Sequence, residues 1–430
     1  MASPSNLLTD STGYAASRGH AFVAFAILFA LMMLDYIDRN IVASMFPYIK
    51  ADWGLTDTQL GSLASIVPLL VGTLSMPVAL LVDRWSRVKS IVLMAALWSL
   101  ATAGCMLAGS YSQLLALRGA VGVGEAGYGN AGSALLAHHF PARVRSTVVG
   151  AFYFASSLGA LVGIVLGGMI AAEWGWRAAF GIVGIPGAVL ALTALAIRDY
   201  PTVPLGALAG ARARAGSRAS AMDIARELLR PRTALPLYAG SALAVIAPMA
   251  MGAWLPSFFA RTYELQGAAA GIKAAPVILA VAAGTVVWAR VADGLALRSP
   301  RRKLQVAGVC CVASPVILFP TFLCLGPGTG QYMLIMLGAF TLSPVPGIAF
   351  AVAMDVSHPG LRSTACSIVT MANNLIGMSA GPFVVGVLSD RHGLPPAMAM
   401  VTLFSLPAAA CLAWAARHYE ADKARIDACL

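Results

Sequence analysis

The chain has 430 residues, of which 59% are hydrophobic and only 11% charged, and its mean hydropathy is +0.79. A soluble domain carries about 25% charged residues, so this chain lacks the polar surface to cover a water-soluble globule of its size. Soluble enzymes, disordered chains and disulfide-framed proteins are therefore poor matches, and the net charge of +11 takes its meaning from where the basic residues lie.

Twelve apolar segments are expected to form helices, at residues 20–46, 58–82, 89–108, 112–139, 144–171, 177–197, 233–263, 267–294, 304–325, 330–354, 362–389 and 395–417. Each is long enough to cross a hydrocarbon core of about 30 Å at about 1.5 Å per residue. Their continuity argues against a β-barrel, whose strands alternate over about 10 residues. The first apolar run, residues 21–34, is followed by Asp35, Asp38 and Arg39, not by a small-residue cleavage site, so it reads as part of a span and not as a cleaved signal peptide. The fold expected is an all-α membrane protein of two six-helix, pseudo-symmetric halves. Residues 20–197 form the first half and 233–417 the second. A basic cytoplasmic linker, 198–232, joins them, and residues 1–19 and 418–430 are cytoplasmic tails. Residues 220–230 could form a short amphipathic helix at the inner surface.

With the N-terminus in the cytoplasm, 21 of the 29 lysines and arginines fall in cytoplasmic segments. Lys50, Arg177, Arg261 and Arg391 fall outside, and Arg39, Arg118, Lys273 and Arg290 lie in helices. This positive-inside asymmetry orients the chain and accounts for its basic charge without a nucleic-acid partner. Membrane lipids are the partners this charge pattern implies, and a monomer is expected. No cofactor or metal is expected. The first six of seven cysteines lie in apolar segments and read as small core residues.

A charge at the centre of a bilayer-spanning helix costs at least about 2.5–3.5 kcal/mol on insertion scales. Such charges concentrate in the first half: Asp35, Asp38 and Arg39 on span one, Arg118 and Glu125 on span four. Counting from the span ends places Asp38 about 12 Å and Arg118 about 9 Å below the outer edge, so the two can meet. Glu125 follows Arg118 by two helical turns and points the same way. Pairing with an arginine favours a charged carboxylate, and burial without a partner favours the neutral acid. Asp38 and Glu125 competing for Arg118 would make a proton switch. The same residues could also form a permanently paired structural triad.

Other features are weaker. Gly119, Gly122, Gly124, Gly127, Gly129 and Gly132 form a ladder on span four, and Gly159, Gly163, Gly167 and Gly168 another on span five, both permitting close helix approach. Asp83, Arg84 and Arg87 follow span two and could clamp the cytoplasmic side. Asp293, Arg298 and 301–303 echo them after span eight. Tyr36, Arg39, Tyr128, Phe152, Tyr153, Trp254, Asn373 and Asn374 are candidates for a substrate cavity. His138 and His139 fall at a helix end, an interfacial position. No nucleophilic triad or phosphate loop is present, which disfavours a membrane-embedded enzyme. A transport-dead scaffold would have no need of buried charges.

Residues 79–88 resemble the loop motif between spans two and three of the major facilitator superfamily, with Ala79 and Ser86 where glycine is usual. Within that superfamily three stretches resemble the Spinster-like transporters: Leu34-Asp35-Tyr36-Ile37-Asp38-Arg39, the run from Arg118 through Glu125 to Tyr128, and Phe152-Tyr153-Phe154-Ala155. The second is the most specific. Asp35 stands where asparagine is common, which implies one extra titratable site. The resemblance implies alternating access, proton coupling at Asp38, Arg118 and Glu125, and amphiphilic lipid substrates such as lysophospholipids or sphingoid phosphates. The expectation is a proton-coupled secondary transporter of the bacterial inner membrane with both termini cytoplasmic. A hydrophobic-drug exporter, or an organic-anion symporter using Arg118, is the alternative.

Overall fold

The structure is a computed structural model that describes residues 17–199, 226–265, 268–342, 344–358 and 361–427. Helices account for nearly all of them, and no strand occurs among the described residues. Eleven helical stretches are long and apolar enough to cross a membrane. The expected fourth span is the exception. It divides into α4 (Tyr111–Glu125) and α5 (Tyr128–His139), each too short alone. The break falls at Ala126 and Gly127, where a Cβ on Gly127 would lie 2.5 Å from Val78 Cγ1.

The other helices of the N-terminal part are α1 (Arg18–Trp53), α2 (Asp57–Arg84), α3 (Arg87–Cys105), α6 (Ala142–Trp174) and α7 (Trp176–Thr193). The C-terminal part holds α8 (Ala234–Thr262), α9 (Ala269–Ala296), α10 (Arg302–Cys324), α11 (Thr329–Thr341), α12 (Val345–Asp355), α13 (Arg362–Ala372), α14 (Ser379–His392), α15 (Leu394–Thr402) and α16 (Ser405–Asp427). A π-helical turn, Asn373–Met378, joins α13 to α14 within the expected eleventh span. Most of the expected amphipathic helix at 220–230 lies outside the described residues.

The chain packs as two compact units. One gathers Met1–Met45 with Thr73–Ala211, and the other Phe46–Gly72 with Arg212–Leu430. The C-terminal end of α1 and most of α2 thus pack with the C-terminal helices.

Small residues set the contacts inside each unit, as close helix packing in lipid requires. In the first unit, a Cβ on Gly159 of α6 would collide with the Met33 carbonyl, and one on Gly163 would lie 2.7 Å from the Ile37 carbonyl. One turn on, Gly167 meets Ile41, and Ser44 Oγ donates to the Ile164 carbonyl at 2.6 Å. The glycine ladder therefore seats α6 directly on the backbone of α1. Gly124 meets the Trp98 backbone of α3 in the same way, 2.7 Å from its nitrogen. Gly163→Val should lower unfolding stability by about 1–3 kcal/mol, the usual cost of overpacking, as measured by thermal unfolding in detergent. Gly150→Val, where a Cβ would meet nothing within 4 Å, should leave it unchanged.

The second unit repeats the device. Gly284 of α9 lies against the Phe340 carbonyl of α11, which also accepts the Trp288 indole N–H at 3.1 Å. Gly377 and Gly381 seat the π turn and α14 on α8.

One polar contact recurs in both units. Ser86, N-cap of α3, donates its hydroxyl to Asp199 beyond α7, while its Oγ accepts the Lys89 N–H. At the matching turn between α9 and α10, Ser299 Oγ donates to Glu420 of α16 at 2.6 Å. In each unit an acid on or after the sixth span pins the turn that follows the second span.

Candidate functional site

The intramembrane charges converge inside the first unit. Asp35, Asp38, Arg118 and Glu125 are all at most 3% exposed. Arg118 Nη1 donates to Asp38 Oδ2 at 2.9 Å, joining α4 to α1 as the depth arithmetic placed them. Glu125, however, does not share Arg118. Its Oε2 lies 2.9 Å from Nε of Arg39, and the same nitrogen donates to Asp35 Oδ1 at 3.3 Å. Arg39 follows Asp38 on α1 and folds back one turn towards Asp35, so its long side chain meets Glu125 two turns along α4 from Arg118. Competition for one arginine thus gives way to two adjacent pairs in this conformation.

Four features make this arrangement chemically unusual. The side chains of Asp38 and Glu125 have no exposure, and Arg118 has 1%. Only Arg39, at 16%, reaches accessible space. Both Glu125 oxygens, Asp38 Oδ1 and Arg118 Nε are buried without a hydrogen-bond partner among the described residues. The Arg39–Glu125 contact has ion-pair distance but not hydrogen-bond geometry, so one change of rotamer could break it.

The candidate cavity residues divide. The Arg39 guanidinium sits over the Tyr36 ring at 5.0 Å, and Tyr153 is exposed on α6. Tyr128 and Phe152 are packed inside the first unit instead. The Tyr128 hydroxyl donates to the Leu28 carbonyl at 2.8 Å, and Phe152 fills the space beside Gly132. In the second unit Trp254 is fully buried, its indole N–H held by the Pro382 carbonyl. Asn373 accepts from Ser241 Oγ at 2.9 Å, and Asn374 donates to the Thr370 carbonyl at 2.9 Å. A large apolar ring and a mid-span amide suggest a cavity wall, but here each is absorbed by a neighbouring backbone or side chain.

The expected cytoplasmic clamp is only partly visible. The side chains of Asp83 and Arg84 lie outside the described residues. Arg87 opens α3, and Asp199 gathers this turn through Ser86 and the Val88 N–H, the latter at 3.4 Å. Lys303 pairs with Asp293 at 3.1 Å in the second-unit echo.

Sequence reasoning missed a heavily bonded acid of the second unit. Asp57, at the start of α2, accepts both guanidinium ends of Arg261 at 2.7 and 2.8 Å. It also accepts from Lys50 at 2.6 Å and Ser389 at 2.5 Å. Beside it, Asp390 of α14 caps α2, taking the N–H groups of Asp57 and Thr58 at 2.7 and 2.8 Å. A local signal did exist. Thr56 and Gln59 form a reciprocal capping box, with Gln59 Oε1 accepting the Thr56 N–H and Thr56 Oγ1 the Gln59 N–H. The partners Arg261, Ser389 and Asp390 are some 200 to 330 residues away, and no spacing rule reaches them.

Eleven helical stretches long and apolar enough to cross a membrane, with ion pairs buried among them, mark an integral membrane protein. The sequence profile of the Major Facilitator Superfamily matches residues 28–382, and the chain belongs to that superfamily. It is 26% identical to "Protein spinster homolog 1" of Xenopus tropicalis over 87% of this chain and 74% of that one. It is 28% identical to an "MFS-type efflux pump" of Mycolicibacterium smegmatis, over 86% and 85%. Among solved structures, a bacterial homologue of the human lysosomal transporter Spinster, in an inward-facing and unoccupied conformation, superimposes with a TM-score of 0.84. It shares 21% identity over 95% of this chain and 99% of its own.

Proposed function

We propose that the chain is a proton-coupled secondary transporter that works by alternating access and moves a lipid-like or amphiphilic solute of the lysophospholipid or sphingoid-phosphate type. It would act in a bacterial inner membrane, with both termini in the cytoplasm and the two six-span halves joined by the basic linker. The observation that carries this reading is the pair of ion contacts Asp38–Arg118 and Glu125–Arg39. They are buried on two helices of one unit, where losing an arginine partner would leave a carboxylate that binds a proton. Likeness to the Spinster proteins supports the substrate class.

An organic-anion symporter or a drug exporter is the second reading, favoured by the similarity to the efflux pump. For a symporter Arg39, 16% exposed where Arg118 is 1%, would be the arginine placed to meet the substrate carboxylate.

Transport in proteoliposomes under an imposed pH gradient tests these readings. Gradient-dependent movement of labelled lysophospholipid is the expected result. Movement of small organic anions or hydrophobic drugs alone would replace the substrate class, and lysolipid transport indifferent to the gradient would remove the coupling.

A further inference from the structure

Among the described residues, the charges of the cluster around Arg39 and Arg118 do not balance. Three acids, Asp35, Asp38 and Glu125, face two bases, Arg39 and Arg118. Arg118 and Asp38 neutralise one another at 2.9 Å. That leaves Asp35 and Glu125 on the single nitrogen Nε of Arg39, at 3.3 and 2.9 Å. Their side chains are 4% and 0% exposed. With both carboxylates ionised the cluster would hold one uncompensated negative charge away from water, which burial strongly disfavours.

The neighbours offer no relief. The Tyr36 ring of α1 lies 5.0 Å from the Arg39 guanidinium, with Tyr153 of α6 near Tyr36 and Tyr128 of α5 near Asp35. Cys105 and Thr102 of α3 stand beside Arg118 and Asp38. These are phenols, a thiol and a hydroxyl, none of them a base. Asp35 Oδ1 and Glu125 Oε2 meet at the same Arg39 nitrogen, which makes the two carboxyls neighbours. Two carboxyls bond to one another only when one carries a proton. Neither Glu125 oxygen has another hydrogen-bond partner among the described residues.

We propose that this cluster holds one resident proton, shared between Asp35 and Glu125 across Arg39, and that Asp35 is the residue that puts it there. With asparagine at position 35 the two remaining acids and two bases would balance, and Glu125 would rest ionised. Asp35 therefore sets the protonation state from which the transport cycle starts. This deepens the proton-coupled reading and rests on it for its meaning in transport. The proton itself is an equilibrium property of the resting protein.

Infrared spectroscopy of the reconstituted wild-type protein tests it, without substrate or gradient. A carboxylic-acid C=O stretch from a buried group is expected at neutral pH, and it should vanish as the pH is raised and the proton leaves. Asp35→Asn and Glu125→Gln should each lose the band, and Asp35→Glu should keep it. The double variant Asp38→Asn/Arg118→Gln removes one acid and one base, leaves the imbalance intact, and should also keep it. Amide bands in the same spectra identify any variant that has not folded. Absence of the band in wild type, or its survival in folded Asp35→Asn, overturns the proposal. A wild-type band in a protein whose transport ignores the pH gradient sinks only the coupling reading.

Discussion

Asp38→Asn should loosen the first unit and stop gradient-driven transport, and the two effects should come apart in a double variant. Asp38 and Arg118 are 0% and 1% exposed and joined at 2.9 Å. Removing one partner leaves the other as a buried, uncompensated charge, a change that costs about 3–5 kcal/mol in folded proteins. A lower unfolding temperature in detergent would record that loss. Asp38→Asn/Arg118→Gln removes both charges and should recover most of the stability, because neutral polar pairs of similar size replace the ions. It should not recover transport, since neither amide takes up or releases a proton. Recovery of pH-driven transport in the double variant would assign the pair a structural role alone. Glu125→Gln should also abolish gradient-driven transport, with a smaller change in stability, because its contact with Arg39 lacks hydrogen-bond geometry.

The second large effect is expected at Asp57. Its carboxylate takes two bonds from Arg261, one from Lys50 and one from Ser389. Together they fasten the segment Phe46–Gly72 to α8 and α14. Arg261 and Lys50 are about a third exposed, at 31% and 39%, so solvent screening reduces their share. Charged hydrogen bonds contribute about 1.5–3 kcal/mol each when one partner is buried. Asp57→Ala should therefore raise amide hydrogen exchange over the first turns of α2 by at least about tenfold, since 1.4 kcal/mol is a factor of ten. Asp390→Ala should raise exchange at the Asp57 and Thr58 amides, whose acceptor it is, and leave α1 unchanged. If α2 exchanges as slowly in Asp57→Ala as in wild type, the segment is held by apolar packing alone.

The parts of this molecule that were legible in the sequence are those governed by one-dimensional rules. Span positions follow from runs of apolar residues, because a bilayer demands about 20 of them in succession. The glycines of α6 announced a close helix contact by their four-residue spacing. Asp38 and Arg118 could be matched by depth, since rise per residue converts sequence to height. Rise gives no azimuth, however, so the partner of Glu125 was not readable. That choice depends on the Arg39 side chain folding back along α1, a rotamer and not a spacing. Breaks within spans were equally hidden. The division at Ala126 and Gly127 and the π turn at Asn373 lie at glycines pressed by distant neighbours, Val78 in the first case and α8 in the second. The contacts of Asp199 and Glu420 were hidden too, because their serine partners lie more than 100 residues away.

The seat of α6 on α1 has a mechanical consequence. Over three turns the small residues of one helix lie against the backbone of the other, with a Ser44 hydroxyl tied across the groove. A notched contact of this kind resists sliding and screw rotation, because any shift along the axis drives a side chain into a carbonyl. The acids of α1 therefore cannot approach or leave Arg118 and Glu125 by travelling along their own helix. They move only if α1 and α6 tilt together as one lever, or if single side chains swing within it. Protonation at the cluster would then be transmitted as a change of angle of a stiff two-helix arm, and softening that arm at Gly163 should blunt the response without touching a charged residue.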